Sequence, residues 1–548
     1  MYFRKKSSGG RVYLQIVASR RDGDRVRQQV IATLGRWDEL EASGQLERLL
    51  RSGARFTAKA LVVSAAQQDA AVAVRRIGPA LVFERLWEES GCRSVVEALA
   101  GGRKHDFALE RAVFLTVLHR LCGGGSDRAA TRWREDYRIA GVEGLELHHL
   151  YRAMAWLGEE LPAAEQDGRT PFAPRCTKDL VEERLFARRR DLFSRLDLVF
   201  MDTTSLYFEG AGGQTLGRHG YSKDHRPDLR QVILAVVIDG DGRPVCSEIW
   251  PGNTADVGGL IPVIERFRWR FSIGQVCIVA DRGMISAETI AGLEARDLLY
   301  LLGVRERSDK LVRELVLEDR APFVPLVIDK RGKRTDYGAK AVELAGTRYI
   351  VCRNQQQAEK DAADRQAIVA ALERQLGRGD KALVGNSGYR RFLKTLGQDR
   401  FAIDPAKVAQ DARFDGIFVL RTNTDLDPLQ AMLRYKQLWT VEAVFRTTKS
   451  LFATRPIFRK RDETIRGHVF CSFLALVLKT ELESRIEALG REGSWPEILA
   501  DLGSLTETAV EQAGKRFLLR SAPRPAASLA LKVAGVALPP TVLPAEAS

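Results

Sequence analysis

The sequence predicts a multidomain α/β protein. A mixed-sheet core is interrupted by a mostly β insertion and preceded by a small β unit and a helical region. Three observations predict this. The 548 residues allow about three to five domains at roughly 100–200 residues each. Hydrophobic residues make up 45% and charged residues 28%, enough apolar material for cores, which excludes wholesale disorder and fibrous repeats. The apolar spacing also changes along the chain, from helical periods to short β runs near residue 196.

Residues 1–40 read as a basic β-hairpin unit: "RVYLQIVAS" and "RVRQQVIATLG" flank "RRDGD", and Asp22-Gly23 is a hairpin turn signal. Residues 41–195 read as mainly helical, a region that could hold a DNA-binding helix-turn-helix. "GPALVFERLWEESG" and "FALERAVFLTVLHRL" repeat apolar residues every three or four positions, Ser126 and Asp127 can cap the next helix, and "LYRAMAWLGEEL" begins another near His149. A helix-turn-helix fits such a bundle. From 196 to 305 the order is three strands, helix, strand, helix, strand: "LDLVFMDTT", "RQVILAVVID", "RPVCSEIWPG", "DVGGLIPVIERFRWRF", "QVCIVAD", "SAETIAGLEAR" and "LLYLLGVRE". That is the order of a ribonuclease-H-like core. Residues 306–425 read as a mostly β insertion with one long helix, "EKDAADRQAIVAALERQLG". Residues 426–485 return to the core with a helix from Pro428, and 486–548 read as a helical segment with a loosely packed Pro/Ala-rich tail.

No apolar run reaches the ~18 residues that span a bilayer. The longest, Val469 to Leu478, reads as a buried helix segment. "MYFRKKSSGG" is no signal peptide. Seven scattered cysteines form no C-x-x-C pair, and the histidines form no ligand spacing, His148-His149 reading as a polar helix start. A reducing cytoplasm is the expected home. Lys and Arg number 85 against 71 Asp and Glu, a net +14. The first 36 residues hold nine basic and two acidic residues, or +7. Positions 446 to 466 hold seven (Arg446, Lys449, Arg455, Arg459, Lys460, Arg461 and Arg466) against Asp462 and Glu463, or +5. Such clusters suit a polyanion such as a nucleic-acid backbone.

Asp202 closes the apolar run "LVFMD" and Asp281 closes "CIVAD". Strand ends at the carboxyl edge of a sheet are where α/β folds place ligands, although either residue alone could serve only as a turn or cap. Two carboxylates side by side repel each other unless a cation separates them, and a divalent metal with oxygen ligands is the simplest such cation. The helix "RYKQLWTVEAVFRTTKSLF" offers a third. Tyr435, Glu442 and Lys449 lie seven apart, which on one straight helix leaves about 20° of drift per heptad and a single stripe. Leu438, Val441, Phe445 and Phe452 form the adjoining apolar stripe. Glu442 could instead pair with Arg446 at i,i+4, and Lys449 could be a solvated lysine. Trp439 could stack on an unpaired base, with packing against the insertion the favoured alternative.

The blocks "FMDTTSLYF", "IVADRG" and "YKQLWTVEAVFRTTK" resemble the DDE transposases of bacterial insertion sequences, in particular the IS-four-type branch with its Y-x2-R-x3-E-x6-K signature. "YSKDHRPDLRQ", "GNTAD" and "RPIFRKRDETIRGHVFCSFLALVL" resemble it too. Leu438 stands where the signature has Arg; Arg434, Lys436 and Arg446 are the cations that could compensate. The resemblance implies that Asp202, Asp281 and Glu442 are catalytic and hold two Mg²⁺ ions, with Mn²⁺ as a substitute. It implies DNA contacts from Tyr435 and Lys449, with Arg446, Arg455, Arg459, Lys460, Arg461 and Arg466 as the backbone track and Lys223, His225 and Arg226 lining the same cleft. The implied function is binding of terminal inverted repeats, metal-dependent cleavage and strand transfer into target DNA by a homodimer, with no membrane. The alternatives are an endonuclease on the same core without strand transfer, and an inactive DNA-binding relic.

Overall fold

The computed structural model describes residues 2–22, 25–54, 72–189, 198–273, 276–281, 285–304, 310–314, 316–330, 333–377, 391–397, 400–512 and 515–545. The chain forms two compact units. One comprises residues 1–82, 135–139 and 492–548, the other residues 83–134 and 140–491.

The first unit opens with an antiparallel meander of three strands, β1 (Tyr2–Ser8), β2 (Arg11–Asp22) and β3 (Arg25–Arg36). The expected hairpin is β2–β3, although its Gly23 lies outside the described residues. The sequence reading missed β1, a strand too rich in cations to stand out by hydrophobicity. Gly9 and Gly10 join β1 to β2, both in the left-handed region at φ 57° and 72°, as a two-residue hairpin turn requires. Helices α1 (Trp37–Ala42) and α2 (Gln45–Ala54) follow. Leu14 and Leu40 are buried, and the Lys5 ammonium lies 3.2 Å from the centroid of the Trp37 ring.

The second sheet of this unit corrects the expectation of a loose tail. Strand β4 (Val72–Arg76) pairs with a strand at Thr506–Gln512, which continues to strands at Lys515–Arg520 and Val542–Ala545. Helices Trp495–Ser504 and Pro525–Val533 accompany them, burying Ala527, Ala530 and Leu531. The many alanines and prolines of this stretch hide "KRFLLR", and its neighbour Thr506–Gln512 finds its other partner, β4, more than 400 residues earlier.

The second unit has a helical part and a nine-stranded sheet among the described residues. After α3 (Gly78–Glu89), the helices are α4 (Cys92–Ala100), α5 (Leu109–Cys122), α6 (Asp127–Trp133), α7 (Leu147–Leu157) and α8 (Thr177–Arg189). Ser126 caps α6 as expected, its hydroxyl accepting from Ala129 N–H at 3.2 Å. His149 caps α7, its Nδ1 accepting from Glu146 N–H at 2.9 Å.

The sheet follows the predicted core order. Its strands are β5 (Leu198–Tyr207), β6 (Gln231–Asp239), β7 (Pro244–Pro251), β8 (Cys277–Ala280) and β9 (Leu299–Gly303), with α9 (Asp256–Phe271) and α10 (Ala287–Glu294) between them. Strands β7–β6–β5 are antiparallel, while β5, β8 and β9 run parallel. Parallel strands are covered on both faces and read as continuous apolar runs, which explains "CIVA". Val263, Phe267 and Phe271 of α9 cover one face, against Val199, Met201, Ile278 and Ala280.

The insertion is not a separate body. Strands β10 (Val324–Lys330), β11 (Lys333–Leu344), β12 (Thr347–Asn354) and β15 (Ile417–Thr422) extend the same sheet, β15 pairing antiparallel with β9. Between β12 and β15 lie α11 (Gln355–Leu376), the short pair β13 (Leu393–Gly397) and β14 (Arg400–Ile403), and α12 (Pro405–Ala412). The chain then returns through α13 (Pro428–Lys436), α14 (Leu438–Arg446) and the long α15 (Asp462–Ala488). Val469 to Leu478 are buried within α15, as expected.

Candidate active site

The parallel register of β5 and β8 sets the centre. Met201 is opposite Ala280, so Asp202 and Asp281, one residue further on, stand at neighbouring positions where the parallel pairing ends. Asp202 is half-buried, and its Oδ1 accepts from Thr203 N–H at 2.7 Å. The Lys223 ammonium lies 4.0 Å from the same oxygen and donates to Thr203 O at 2.8 Å and Oγ1 at 2.7 Å. Asp281 is exposed, and its Oδ1 accepts from the Tyr435 hydroxyl at 3.0 Å. Tyr435, predicted to touch DNA, thus bonds the second carboxylate, while its ring stacks on Phe418 at 6.0 Å.

The stripe expected for Tyr435, Glu442 and Lys449 needs correction. Helix α13 ends at Lys436, Gln437 forms a turn, and α14 passes after Arg446 into a π-helical turn, Thr447–Leu451. A π turn holds an extra residue, so heptad spacing does not carry one face across both junctions. The apolar side is as predicted: Leu438, Val441, Phe445 and Phe452 are buried, and α14 packs against β5. Glu442 is exposed on α14, and among the described residues it makes no ion pair with Arg446. Also among the described residues, no three His, Cys, Asp or Glu side chains converge closely enough to hold a metal ion. Trp439 is 67% exposed, which leaves most of its indole free of packing among the described residues.

The predicted cations divide into three groups. Lys449 and Arg455 both reach Asp224, each 2.7 Å from its Oδ1. Burial, the largest influence, pushes the Lys449 ammonium below its ordinary pKa, against the pull of Asp224. Arg459 and Arg466 are structural. Arg459 pairs with Asp127 and covers the Tyr151 ring, and burial lowers its pKa to about 10. Arg466 is buried, with Glu160 at 3.0 Å. Arg446, Lys460 and Arg461 are exposed. In the loop before β6, Arg226 pairs with Asp228 at 2.8 Å and lies over Tyr207. His225 sits in the left-handed region at φ 56°. Of the three candidates to replace the signature Arg, Lys436 lies over the Tyr337 ring at 3.4 Å, whereas Arg446 remains exposed. The sequence reading missed Asp224. Its signal was an acid inside a basic loop, "YSKDHRPDLR".

Two carboxylates side by side where β5 and β8 part, Asp202 lying within β5 rather than at the strand end expected of it and Asp281 just past β8, a helix bearing a third acid, and a cationic rim define a core suited to phosphodiester chemistry on a polyanion. Residues 194–478, more than half of the chain, match the family described as the transposase DDE domain, and residues 3–68 match the N-terminal domain of IS1634 family transposases. The chain belongs to the DDE transposase family: it is a transposase, an enzyme that cleaves DNA and transfers strands. Transposases of this kind generally use divalent metal ions. No curated protein matches the chain.

Proposed function

We propose that the enzyme binds the terminal inverted repeats of its own insertion sequence and moves the element by cut-and-paste transposition, with Asp202, Asp281 and Glu442 as the catalytic carboxylates. The observation that carries this reading is the adjacency of Asp202 and Asp281 where the parallel pairing of β5 and β8 ends, with α14 packed on β5. Asp202 and Asp281 offer the hard carboxylate oxygens that Mg²⁺ takes, an ion that keeps several waters. When bound, a pair of such ions supplies activation of the attacking oxygen and stabilisation of the leaving oxygen in an in-line displacement.

The chain's own residues do the rest. The Tyr435 hydroxyl orients the Asp281 carboxylate through its 3.0 Å hydrogen bond. Lys223, beside Asp202, offsets the charge of the paired acids. Lys449 and Arg455 supply cations for a phosphate, and Arg446, Lys460 and Arg461 follow the DNA backbone. The Trp439 indole, presented to solvent, suits stacking on an unpaired base. The basic N-terminal meander is suited to contact with the repeats, and a homodimer would handle both ends together. The seven cysteines are all free thiols, which supports the expectation of a reducing compartment.

The test is a plasmid carrying the element between its native ends, incubated with protein and Mg²⁺ or with EDTA. The expected products are an excised element and its insertion into a second DNA, both lost in EDTA. Cleaved ends that never join would contradict the cut-and-paste reading and support an endonuclease.

A further inference from the structure

The loop between β5 and β6 is anchored on two sides. Toward β5, Lys223 N–H donates to Ser205 Oγ at 2.9 Å and its ammonium holds Thr203. Tyr221 O accepts from Gln231 Nε2 at 2.8 Å. Toward the segment after Glu442, one oxygen of Asp224 takes both Lys449 and Arg455 at 2.7 Å. Only 4% of the Asp224 side chain is exposed, and its Oδ2 is buried with no hydrogen-bond partner among the described residues. The guanidinium groups of Arg226 and Arg455 each lie 5.6 Å from the Tyr207 ring at the end of β5. The left-handed backbone of His225, beside Asp224, is costly for a residue with a Cβ and persists where its surroundings over-determine it.

A carboxylate is a poor choice for gripping DNA, because it repels phosphate and cancels a nearby cation. We propose that Asp224 is a positioning residue: through Lys449 and Arg455 it fixes the π turn that follows Glu442 against the strand that carries Asp202. Lys223 and Asp224 thus act as a bracket, one residue on each side of the site. This rests on the assignment of Asp202, Asp281 and Glu442 as the catalytic set.

The test uses the full chain and a duplex carrying one end of the element. Affinity is measured by fluorescence anisotropy in EDTA, and cleavage by single turnover with Mg²⁺ at saturating protein. Asp224→Asn is expected to bind as tightly as wild type or tighter, and to cleave about ten- to a hundredfold more slowly, the scale of a misplaced catalytic group. Because Asp224 acts through Lys449 and Arg455, adding Asp224→Asn to a protein that already carries Lys449→Met and Arg455→Gln should slow cleavage no further. Cleavage by Asp224→Asn within about threefold of wild type overturns the proposal, as does a loss confined to affinity or a further loss when Asp224→Asn is added to the variant that lacks both cations. Should Asp224→Asn not fold, Arg455→Gln, which leaves Asp224 paired to Lys449, decides: cleavage at saturation should fall at least about fivefold, and an unchanged rate overturns the proposal. Asp281→Asn is run alongside. If it cleaves normally the catalytic set is wrong; if it is inactive while Asp224→Asn is normal, only the bracket fails.

Discussion

The cations that follow Glu442 carry the same charge but stand in different surroundings, and this sets what each can do. Lys460 and Arg461 are exposed. If each neutralises one phosphate, changing either to Ala should reduce the slope of log affinity against log salt by about 0.9, with no change in thermal stability. Arg466 is buried against Glu160. Its replacement by Ala should instead lower stability by about 1–3 kcal/mol in urea denaturation and leave the salt slope alone. Trp439 is a third case. An indole that exposed contributes little to the core, so Trp439→Ala should melt like wild type, yet bind an end with unpaired bases about 1–3 kcal/mol more weakly. None of these distinctions can be read from charge counting, which treated the seven cations of residues 446–466 as one track.

At the scale of elements, the catalytic sheet is backed by close helix crossings and buried charge. A Cβ on Gly467 of α15 would meet Met154 O of α7 at 1.8 Å, and one on Gly158 would meet Glu463 O at 2.0 Å. Gly467→Ala must force the two helices apart, and overpacking of this kind costs about 1–3 kcal/mol or more, measurable by thermal denaturation. Beneath β7, Lys178, Arg266 and Arg270 are paired with Asp179, Glu182 and Glu248, all buried. Two buried histidines on α5 and α15 link stability to pH. Burial, then Arg120, lowers the His119 pKa to about 4. His468 lies well below its ordinary value for the same reasons: Arg120 donates to its Nδ1 at 2.8 Å and its Nε2 lies 3.1 Å from Thr454 O, which requires the neutral ring. A folded pKa below the unfolded one means that the unfolded chain takes up protons first as pH falls. Stability from these rings is therefore full above about pH 6.5 and is lost below it; for His119 the loss reaches about 3 kcal/mol by pH 4. His119→Gln should flatten urea-denaturation stability over that window. Periodicity revealed the existence of α13 to α15 but not their breaks. The turn at Gln437 and the π turn at Thr447–Leu451 depend on packing against β5 and on Thr454, whose hydroxyl donates to Thr448 O at 2.7 Å, a contact outside any local pattern.

Over the whole molecule, the β5-to-β9 core was legible because its strands are short apolar runs and the two helices among them are amphipathic. What stayed hidden was long-range pairing. Nothing local shows that β15 joins β9, turning an expected insertion into an extension of the sheet, or that β4 pairs with strands near the C-terminus. Asp281 follows from a strand end visible in the sequence and Asp202 from the end of an apolar run that its strand outlasts, whereas the part of Asp224 needed the fold. The central claim is that the Asp202, Asp281 and Glu442 set performs the chemistry. It is tested most directly by comparing wild type with Asp281→Asn on a duplex carrying a native end, scoring binding in EDTA and cleavage in Mg²⁺. The account predicts equal binding and a loss of cleavage of at least about a thousandfold, as expected when a group acting on the transition state is removed. Cleavage by Asp281→Asn at the wild-type rate would contradict it.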